Sequence, residues 1–284
     1  MRSRVLIPLI LIVIFVASPY GAASLFSQKL ASRDIVHGNS ALRDSVEGNN
    51  YNLSQFGHET WGFMKQPAKW DGSDWLRLGV IGGGSFLLIE TVDQPARDLA
   101  FKDRRYLLSV PIEGGRIWGE LYTPVLLFAG FAAHSLMAND NSTRKIAYEI
   151  GQACLYAGAI TYVLKSSFGR TRPFMNEGKS SYYMFSLNDD YHSFPGGHSA
   201  AAFALSTVLS RNAGPTWLKI LAYLPAVITP FSRVYEDQHW VSSCFFGGAM
   251  GYFIATWVVD IHEQNESRVR VSSIYPFTIS VTLD

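Results

Sequence analysis

The sequence predicts an all-α protein, a bundle of about six core helices, and three observations support this fold class. Six apolar segments recur between residues 76 and 261, and their lengths suit helices better than strands. Polar or Pro/Gly-bearing stretches separate them. The alternation of apolar and polar residues that is typical of a strand is found in the C-terminal tail.

The helical part occupies the middle of the chain. Residues 76–262 form the predicted helical domain, preceded by a polar, loosely structured region at 24–75 and followed by a tail at 263–284. In that tail Phe277, Ile279, Val281 and Leu283 alternate with polar residues, as in a short strand. The segments that we expect to be helical are 76–91, 121–137, 147–164, 199–210, 217–231 and 241–261.

Residues 1–23 indicate export as a signal peptide. Arg2 and Arg4 precede an apolar run from Val5 to Val16, and the small residues at 21–23 suit a signal peptidase. The alternative is an uncleaved membrane anchor. The apolar run is shorter than a full span, which favours a signal peptide, but the cleavage pattern is loose, which leaves the anchor open. In both cases the following segment leaves the cytosol, which predicts a protein of the periplasm or cell envelope.

Composition excludes one class of partner. Lys plus Arg number 24 and Asp plus Glu number 23, so the chain has no general basic surface for nucleic acid, and any anion site must be local. Several apolar segments fall short of the roughly 20 residues of a membrane span. We therefore favour a periplasmic or membrane-peripheral domain over a six-span integral protein, and contact with a membrane stays open. The sequence indicates no oligomeric state.

Two cysteines, Cys154 and Cys244, lie inside apolar stretches. Free cysteine is among the residue types most often buried, so we expect two buried thiols. A disulfide is permitted in an exported protein, but a sequence cannot place the two Cα atoms at bonding distance.

The third apolar segment ends in a basic cluster, Lys165-Ser166-Ser167-Phe168-Gly169-Arg170-Thr171-Arg172-Pro173. Lys165 and Arg172 converge only if the helix breaks between them, and Gly169 supplies a break point. Two converging cations bind a phosphate dianion, Arg through a planar fork of donors and Lys as a point charge. The alternative is a basic collar at a helix end.

A glycine pair opens the fourth apolar segment, in the run Pro195-Gly196-Gly197-His198-Ser199. Glycines before a helix let backbone N–H groups approach an anion closely, and the helix N-terminus adds positive potential. His198 is then placed to protonate a leaving oxygen as a general acid. Taken by itself, such a histidine is an ordinary capping or surface residue.

The polar stretch 232–243 joins the fifth and sixth apolar segments. Arg233 offers a further phosphate fork, and His239 is a candidate nucleophile that would form a phosphohistidine. When one imidazole nitrogen attacks, the other needs an acceptor that fixes the tautomer, and position 243, one helical turn further on, is where we expect it. The alternative is a polar loop with a surface histidine.

Together these stretches resemble the three signature motifs of the type 2 phosphatidic acid phosphatase (PAP2) superfamily, which includes class A acid phosphatases, lipid phosphate phosphatases and vanadium haloperoxidases. The pattern is Lys-x6-Arg-Pro, Pro-Ser-Gly-His and Ser-Arg-x5-His-x3-Asp, and nine of its eleven fixed positions match in the right order. The resemblance covers about residues 76–261 and implies a PAP2/haloperoxidase-like helical bundle.

The resemblance also implies a role for each matched position. The residues concerned are Lys165, Arg172 and Arg233 as phosphate ligands, Gly197 as a backbone donor, His198 as the general acid and His239 as the nucleophile. Gly196 departs from the pattern, because it replaces a serine hydroxyl and leaves only its backbone N–H for the phosphate. Ser243 departs too, since it replaces the aspartate that would orient His239, and Asp237 is a candidate substitute.

The implied function is a phosphatase that needs no metal or other cofactor and acts on a phosphorylated small molecule or lipid. It would hydrolyse phosphomonoesters or pyrophosphates through a phosphohistidine. No pair of histidines or cysteines has metal-ligand spacing. Two alternatives stay open: a haloperoxidase-like enzyme that requires vanadate, and a catalytically weakened envelope or binding protein that keeps the anion pocket.

Overall fold

The computed structural model describes residues 49–102, 107, 109–274 and 277–281, with side chains described as far as residue 264. The described residues form eleven α-helices and a two-stranded antiparallel sheet. The helices are α1 Leu53–Met64, α2 Gln66–Lys69, α3 Gly72–Thr91, α4 Asp93–Lys102, α5 Val110–Gly119, α6 Tyr122–Ala138, α7 Asn141–Phe168, α8 Gly197–Asn212, α9 Thr216–Leu221, α10 Leu224–Tyr235 and α11 Val241–Arg268. The strands are β1 Val269–Ile274 and β2 Phe277–Val281.

The predicted all-α fold class is confirmed, and each of the six apolar segments is helical. The fifth segment, however, is divided into α9 and α10. Pro225 stands in the first turn of α10, where its missing N–H is tolerated, whereas it could not continue α9. The helices α4 and α5 were not predicted, because α4 is too polar and α5 too short to give an apolar segment.

The segment just before α3 is more ordered than the sequence suggested. Its expected loose structure is corrected by α1, which begins with the Asn52 side chain accepting a bond from the Gln55 N–H at 2.9 Å. Phe63 on α1 stacks on Tyr156 of α7, with ring centroids 4.4 Å apart. Because only a few aromatic side chains anchor α1, its sequence has no sustained apolar period, and the helix could not be predicted from the sequence. The predicted signal peptide at 1–23 lies outside the described residues.

The core lies where α7, α8 and α11 meet. Its fully buried members include Ile150, Ala153, Ala157, Leu205, Val208, Ala255 and Val258. Small side chains on α7 and α8 let the helices approach closely, and burial of the larger aliphatic side chains stabilises the bundle by about 1.5–3 kcal/mol each. These three helices also carry or adjoin the residues of the three motifs.

Two glycines on α11 bring it against the start of α8. A Cβ at Gly247 would lie 2.2 Å from the carbonyl oxygen of Gly196, and one at Gly251 would lie 2.1 Å from that of Ala200. Any side chain at either position would force the two backbones apart. The pair Gly247-x3-Gly251 therefore sets how closely α11 approaches the glycine motif.

The tail ends in the β1–β2 hairpin, with Val269 opposite Val281. The alternation noted at Phe277, Ile279 and Val281 falls in β2, and Leu283 lies outside the described residues. Both cysteines are free thiols.

One helix of the described chain, Val241–Gln264 within α11, is long and apolar enough to cross a membrane. Two further spans are added if the bent pairs α3 with α4 (53°) and α5 with α6 (68°) are each counted as one. Large apolar side chains are also exposed on the outer faces of several helices, including Phe86, Leu126, Met137, Val163 and Trp217. Monomeric soluble proteins rarely expose so much apolar surface, so these features support association with a membrane.

Candidate active site

All three motifs lie where helices begin or end, and the fold brings them together. Lys165 is in the last turn of α7, His198 is the second residue of α8, and His239 comes two residues before α11. The rings of His198 and His239 are 6.1 Å apart between centroids. The Lys165 ammonium lies 3.3 Å from the point where a Cβ on Gly197 would stand. The sequence-predicted groups thus share one site.

Gly169 makes the turn that lets Lys165 and Arg172 converge. It ends α7 in the left-handed region, with φ +59°, and a Cβ there would lie 1.7 Å from the Tyr183 carbonyl oxygen. Only glycine fits both the dihedral angle and the space. The helix break expected at this position is confirmed.

His239 is held with one ring nitrogen bonded and the other free. The side chain is 1% exposed, and Nδ1 lies 2.8 Å from the Ser193 carbonyl oxygen. A carbonyl oxygen can only accept, so Nδ1 carries the proton and Nε2 keeps its lone pair. Nε2 has no hydrogen-bond partner among the described residues. Burial, followed by the charges of Lys165 and Arg172, holds the pKa of His239 well below its usual value, so the imidazole is neutral at pH 7.

The orienting role expected of Ser243 or Asp237 needs correction, because the acceptor on His239 Nδ1 is the backbone of Ser193. The Ser243 hydroxyl accepts from Arg170 Nη1 at 3.1 Å. Asp237 forms a bidentate pair with Arg97, with Oδ1 2.7 Å from Nε and Oδ2 2.9 Å from Nη2. Spacing along one helix could not reveal an acceptor that lies 46 residues earlier in the chain.

His198 has a carboxylate neighbour that the motifs did not indicate. Glu120 Oε1, at the junction of α5 and α6, lies 3.3 Å from His198 Nε2. This is within ion-pair distance, but the geometry does not make a hydrogen bond. Burial lowers the pKa of His198 most, and the charge of Arg233 lowers it further, to about 4. The charge of Glu120 acts in the opposite direction and raises this pKa. Before substrate binds, His198 is therefore neutral at pH 7.

Two of the cations keep part of their charge unpaired. Burial, and then the charge of Arg172, lower the pKa of Lys165 to about 8, so the ammonium persists at pH 7. Arg233 is 4% exposed and pairs through Nη2 with Glu236, while its Nε has no hydrogen-bond partner in the described part of the chain. A buried guanidinium N–H without an acceptor is costly, and an anion in the site would satisfy it.

All three side-chain nitrogens of Arg172 donate to other residues. Its Nη2 donates to Asp189 Oδ2 at 2.6 Å, its Nε to the Asp189 carbonyl oxygen at 2.9 Å, and its Nη1 to Gln238 Oε1 at 2.9 Å. The Asp189 side chain is 78% exposed, so its carboxylate can move away from the fork at little cost.

The start of α8 supplies backbone donors. The first bond within the helix runs from the Ala200 N–H to the Gly196 carbonyl oxygen at 3.0 Å, which leaves the three preceding N–H groups, from Gly197 to Ser199, without an acceptor in the helix. This agrees with the donor expected at Gly197. The expectation for Gly196 is corrected, because its N–H donates to the Ser243 carbonyl oxygen at 2.8 Å and is not available to a phosphate.

The missing serine at position 196 also has a steric reason. A Cβ on Gly196 would stand 3.0 Å from the Ser243 carbonyl oxygen and 3.1 Å from the Cys244 Cα, both of them backbone atoms. The close approach of α11 to α8 therefore favours glycine here. Among the described residues no group of three His, Cys, Asp or Glu side chains could hold a metal ion.

The part of the chain that contains these site residues matches a known family. The model of the PAP2 superfamily matches residues 148–267, which contain all three motifs. This segment is a PAP2 superfamily domain. Its fold and motif order are those expected from the sequence resemblance.

Two relatives of this segment are phosphatases by name. A lipid A 1-phosphatase of Porphyromonas gingivalis is 30% identical over 109 residues, covering 37% of this chain and 22% of the relative. An undecaprenyl-diphosphatase of Sulfolobus acidocaldarius is 31% identical over 119 residues, covering 42% of this chain and 56% of the relative. The chain thus spans about a fifth of the first relative's length and about half of the second's.

Among solved structures, this chain is similar to a transmembrane PAP2-type phosphatidylglycerolphosphate phosphatase from Bacillus subtilis. The TM-score is 0.46 at 17% sequence identity, over 65% of this chain and 94% of the other.

Proposed function

We propose that this protein is a phosphatase that hydrolyses phosphomonoesters or pyrophosphates through a phosphohistidine, with cationic side chains in place of a metal. The observation that carries the proposal is the state of His239: Nδ1 donates to the Ser193 carbonyl oxygen, and Nε2, beside a second histidine, has no partner in the described part of the chain. A buried neutral imidazole with one free lone pair, in a pocket lined by cations, is suited to attack phosphorus.

In the first step the lone pair of His239 Nε2 forms the N–P bond while the bond from phosphorus to the leaving oxygen breaks. The protonated His198 gives its proton to that oxygen. The bound phosphate dianion offsets the positive charges of Lys165 and Arg233 that depress the pKa of His198, so substrate binding favours the protonated ring.

In the second step water attacks the phosphohistidine. His198, now neutral, takes a proton from that water as the N–P bond breaks and inorganic phosphate forms. Lys165, Arg172, Arg233 and the N–H groups at the start of α8 stabilise the charge on the transferred phosphoryl oxygens throughout.

An amphiphilic, lipid-linked substrate fits the surroundings of the pocket. The loop between the first two motifs exposes a run of large apolar side chains, with Phe185 81% and Leu187 76% exposed. The Tyr183 N–H donates to the Gly169 carbonyl oxygen at 2.7 Å, which fastens this loop to the end of α7. A hydrocarbon chain lying on the loop would place its phosphate at the site, and the names of the two relatives support this class of substrate.

The test is phosphate release by the purified protein from an aryl phosphate, a lipid phosphate and an isoprenoid pyrophosphate, each in excess EDTA. We expect activity to persist without metal, vanadate to inhibit as a trigonal-bipyramidal mimic, and His239→Ala to be inactive. Loss of activity on chelation that a divalent metal restores, or an active His239→Ala protein, would overturn the mechanism. Phe185→Ser should lower kcat/KM for the lipid phosphate and leave the aryl phosphate unchanged.

A further inference from the structure

A buried arginine beside the site has a carboxylate partner that the motifs do not contain. Arg170 is fully buried, and each of its three side-chain nitrogens donates inside the protein. Nη2 donates to Asp93 Oδ2 at 2.8 Å. Nη1 donates to the hydroxyls of Ser242 and Ser243 at 2.7 and 3.1 Å. Arg170 is therefore a structural cation that no substrate reaches.

Asp93 also holds the start of α11. Besides Arg170, its carboxylate accepts from the Ser242 N–H at 2.9 Å and from the Ser242 hydroxyl at 2.6 Å. Ser242 is the second residue of α11 and lies three residues after His239. A carboxylate at a helix N-terminus accepts from a backbone N–H that has no partner within the helix, and it interacts favourably with the positive end of the helix dipole. Asp93 thus bonds α4 to the N-terminus of α11, the helix that begins two residues after the nucleophile.

Arg170 in turn connects this carboxylate to the nucleophile. The Ser193 N–H donates to the Arg170 carbonyl oxygen at 3.0 Å, and the Ser193 carbonyl oxygen accepts from His239 Nδ1 at 2.8 Å. A continuous set of bonds therefore runs from Asp93 through Arg170 and Ser193 to the imidazole. Loss of the carboxylate would leave a buried guanidinium without its counter-ion and loosen the residue that orients the ring.

We propose that Asp93 is a positioning residue that replaces the aspartate missing at position 243. The family pattern has a carboxylate at 243, where this chain has a hydroxyl. Because Ser243 Oγ is 3.1 Å from Arg170 Nη1, a carboxylate at 243 would reach the same guanidinium. In this chain Asp93 on α4 supplies the negative charge that Arg170 requires. The carboxylate has therefore moved from position 243 to position 93, and the site stays active without an aspartate at 243. This inference rests on the proposed function for its kinetic test only.

The test moves the charge between the two positions. Wild type and the double variant Asp93→Asn/Ser243→Asp each have one carboxylate beside Arg170, Asp93→Asn has none, and Ser243→Asp has two. We expect Asp93→Asn to lower kcat on an aryl phosphate about tenfold or more with little change in KM, because binding groups stay and the nucleophile is misaligned. The double variant should recover kcat to within a few-fold of wild type. Ser243→Asp alone should bring no gain.

The matched control is Asp237→Asn/Ser243→Asp. Asp237 is a nearby buried carboxylate that pairs with Arg97 instead of Arg170, so a carboxylate at 243 cannot compensate for its loss. If Ser243→Asp restores both backgrounds equally, or if Asp93→Asn keeps wild-type kcat, the proposal is overturned. If Asp93→Asn does not fold, recovery of folding and turnover in the double variant decides instead.

Two further measurements do not depend on activity. The unfolding temperature should fall in Asp93→Asn and return in the double variant. Nitrogen NMR of the imidazole should show the Nδ1–H tautomer of His239 in wild type and in the double variant, and a mixture of tautomers in Asp93→Asn. If the wild-type protein releases no phosphate from any substrate, the proposed function fails, while these two readouts still test the role of Asp93. Failure of the rescue in both readouts would contradict that role.

Discussion

The pKa of His198 leads to a prediction about substrate preference. The perturbations are pH and the substitution His198→Gln. Because burial and the Arg233 charge lower the pKa of His198 to about 4, the ring of the free enzyme is protonated only under acidic conditions. A pKa near 4 means a protonated fraction of about 10⁻¹ at pH 5 and about 10⁻³ at pH 7. The general acid is therefore lost as pH rises.

Two soluble phosphomonoesters separate this effect from other titrations. An alkyl alkoxide is a poor leaving group and needs the proton of His198, whereas an aryl oxide departs without it. Since kcat/KM reports the free enzyme, the alkyl-to-aryl ratio of kcat/KM should fall about tenfold per pH unit between pH 5 and pH 7. Titration of His239 affects both substrates alike and cancels in the ratio, whereas the second ionisation of the phosphate differs between the two esters, so each kcat/KM is first corrected for the dianion fraction of its own substrate. Loss of the Lys165 charge, as pH rises through about 8, cancels too.

The assay is initial-rate phosphate release with both esters from pH 5 to 8, for wild type and His198→Gln. In the variant the ratio should be small and independent of pH. The pH dependence of kcat should be shallower than that of kcat/KM, because the bound dianion raises the pKa of His198. A wild-type ratio that stays constant from pH 5 to 7, or the same slope in His198→Gln, would refute the general-acid assignment.

Three further substitutions test the packing and charge of the site. Gly247→Ala should destabilise the protein by about 1–3 kcal/mol or more and lower kcat, because its Cβ would stand 2.2 Å from the Gly196 carbonyl oxygen. The matched control is Gly158→Ala, where a Cβ would have nothing within 4 Å. This control should be neutral or stabilising in thermal unfolding. Gly196→Ser should bring no gain in kcat although it restores the family residue, because its Cβ would stand 3.0 Å from the α11 backbone. Asp189→Asn should lower the inhibition constant of vanadate by up to about fivefold, since an exposed pair worth at most about 1 kcal/mol no longer competes for the Arg172 fork; an unchanged constant would show that Asp189 does not compete.

The motifs predicted the residues whose type and spacing carry chemistry. Lys165, Arg172, Arg233, His198 and His239 could be found because each stands at a helix end in a fixed pattern. The helix break at Gly169 followed from backbone preference alone. The close packing of α11 on α8 also had a signal in the sequence, the pair of glycines four residues apart at the start of α11.

The partners of these residues could not be predicted in the same way. Ser193 acts through a backbone carbonyl, which every residue carries, and Glu120 and Asp93 are single carboxylates far from the motifs in sequence. The bond from Ser242 to Asp93 spans 149 residues, and only the packing of α4 against α11 brings the two together. For the same reason Ser243 and Asp237, the nearest candidates along the chain, were expected to orient the nucleophile and instead bond to arginines.

The most direct test of the central claim is to trap the phosphoenzyme. The protein is mixed with a radiolabelled aryl phosphate, quenched in alkali because phosphohistidine is acid-labile, and mapped by peptide mass spectrometry. The account predicts a rapid, stoichiometric burst of label on the peptide that contains His239, slower loss of that label to water, and no label in His239→Ala. Turnover without any labelled intermediate, or label on a different residue, would contradict it.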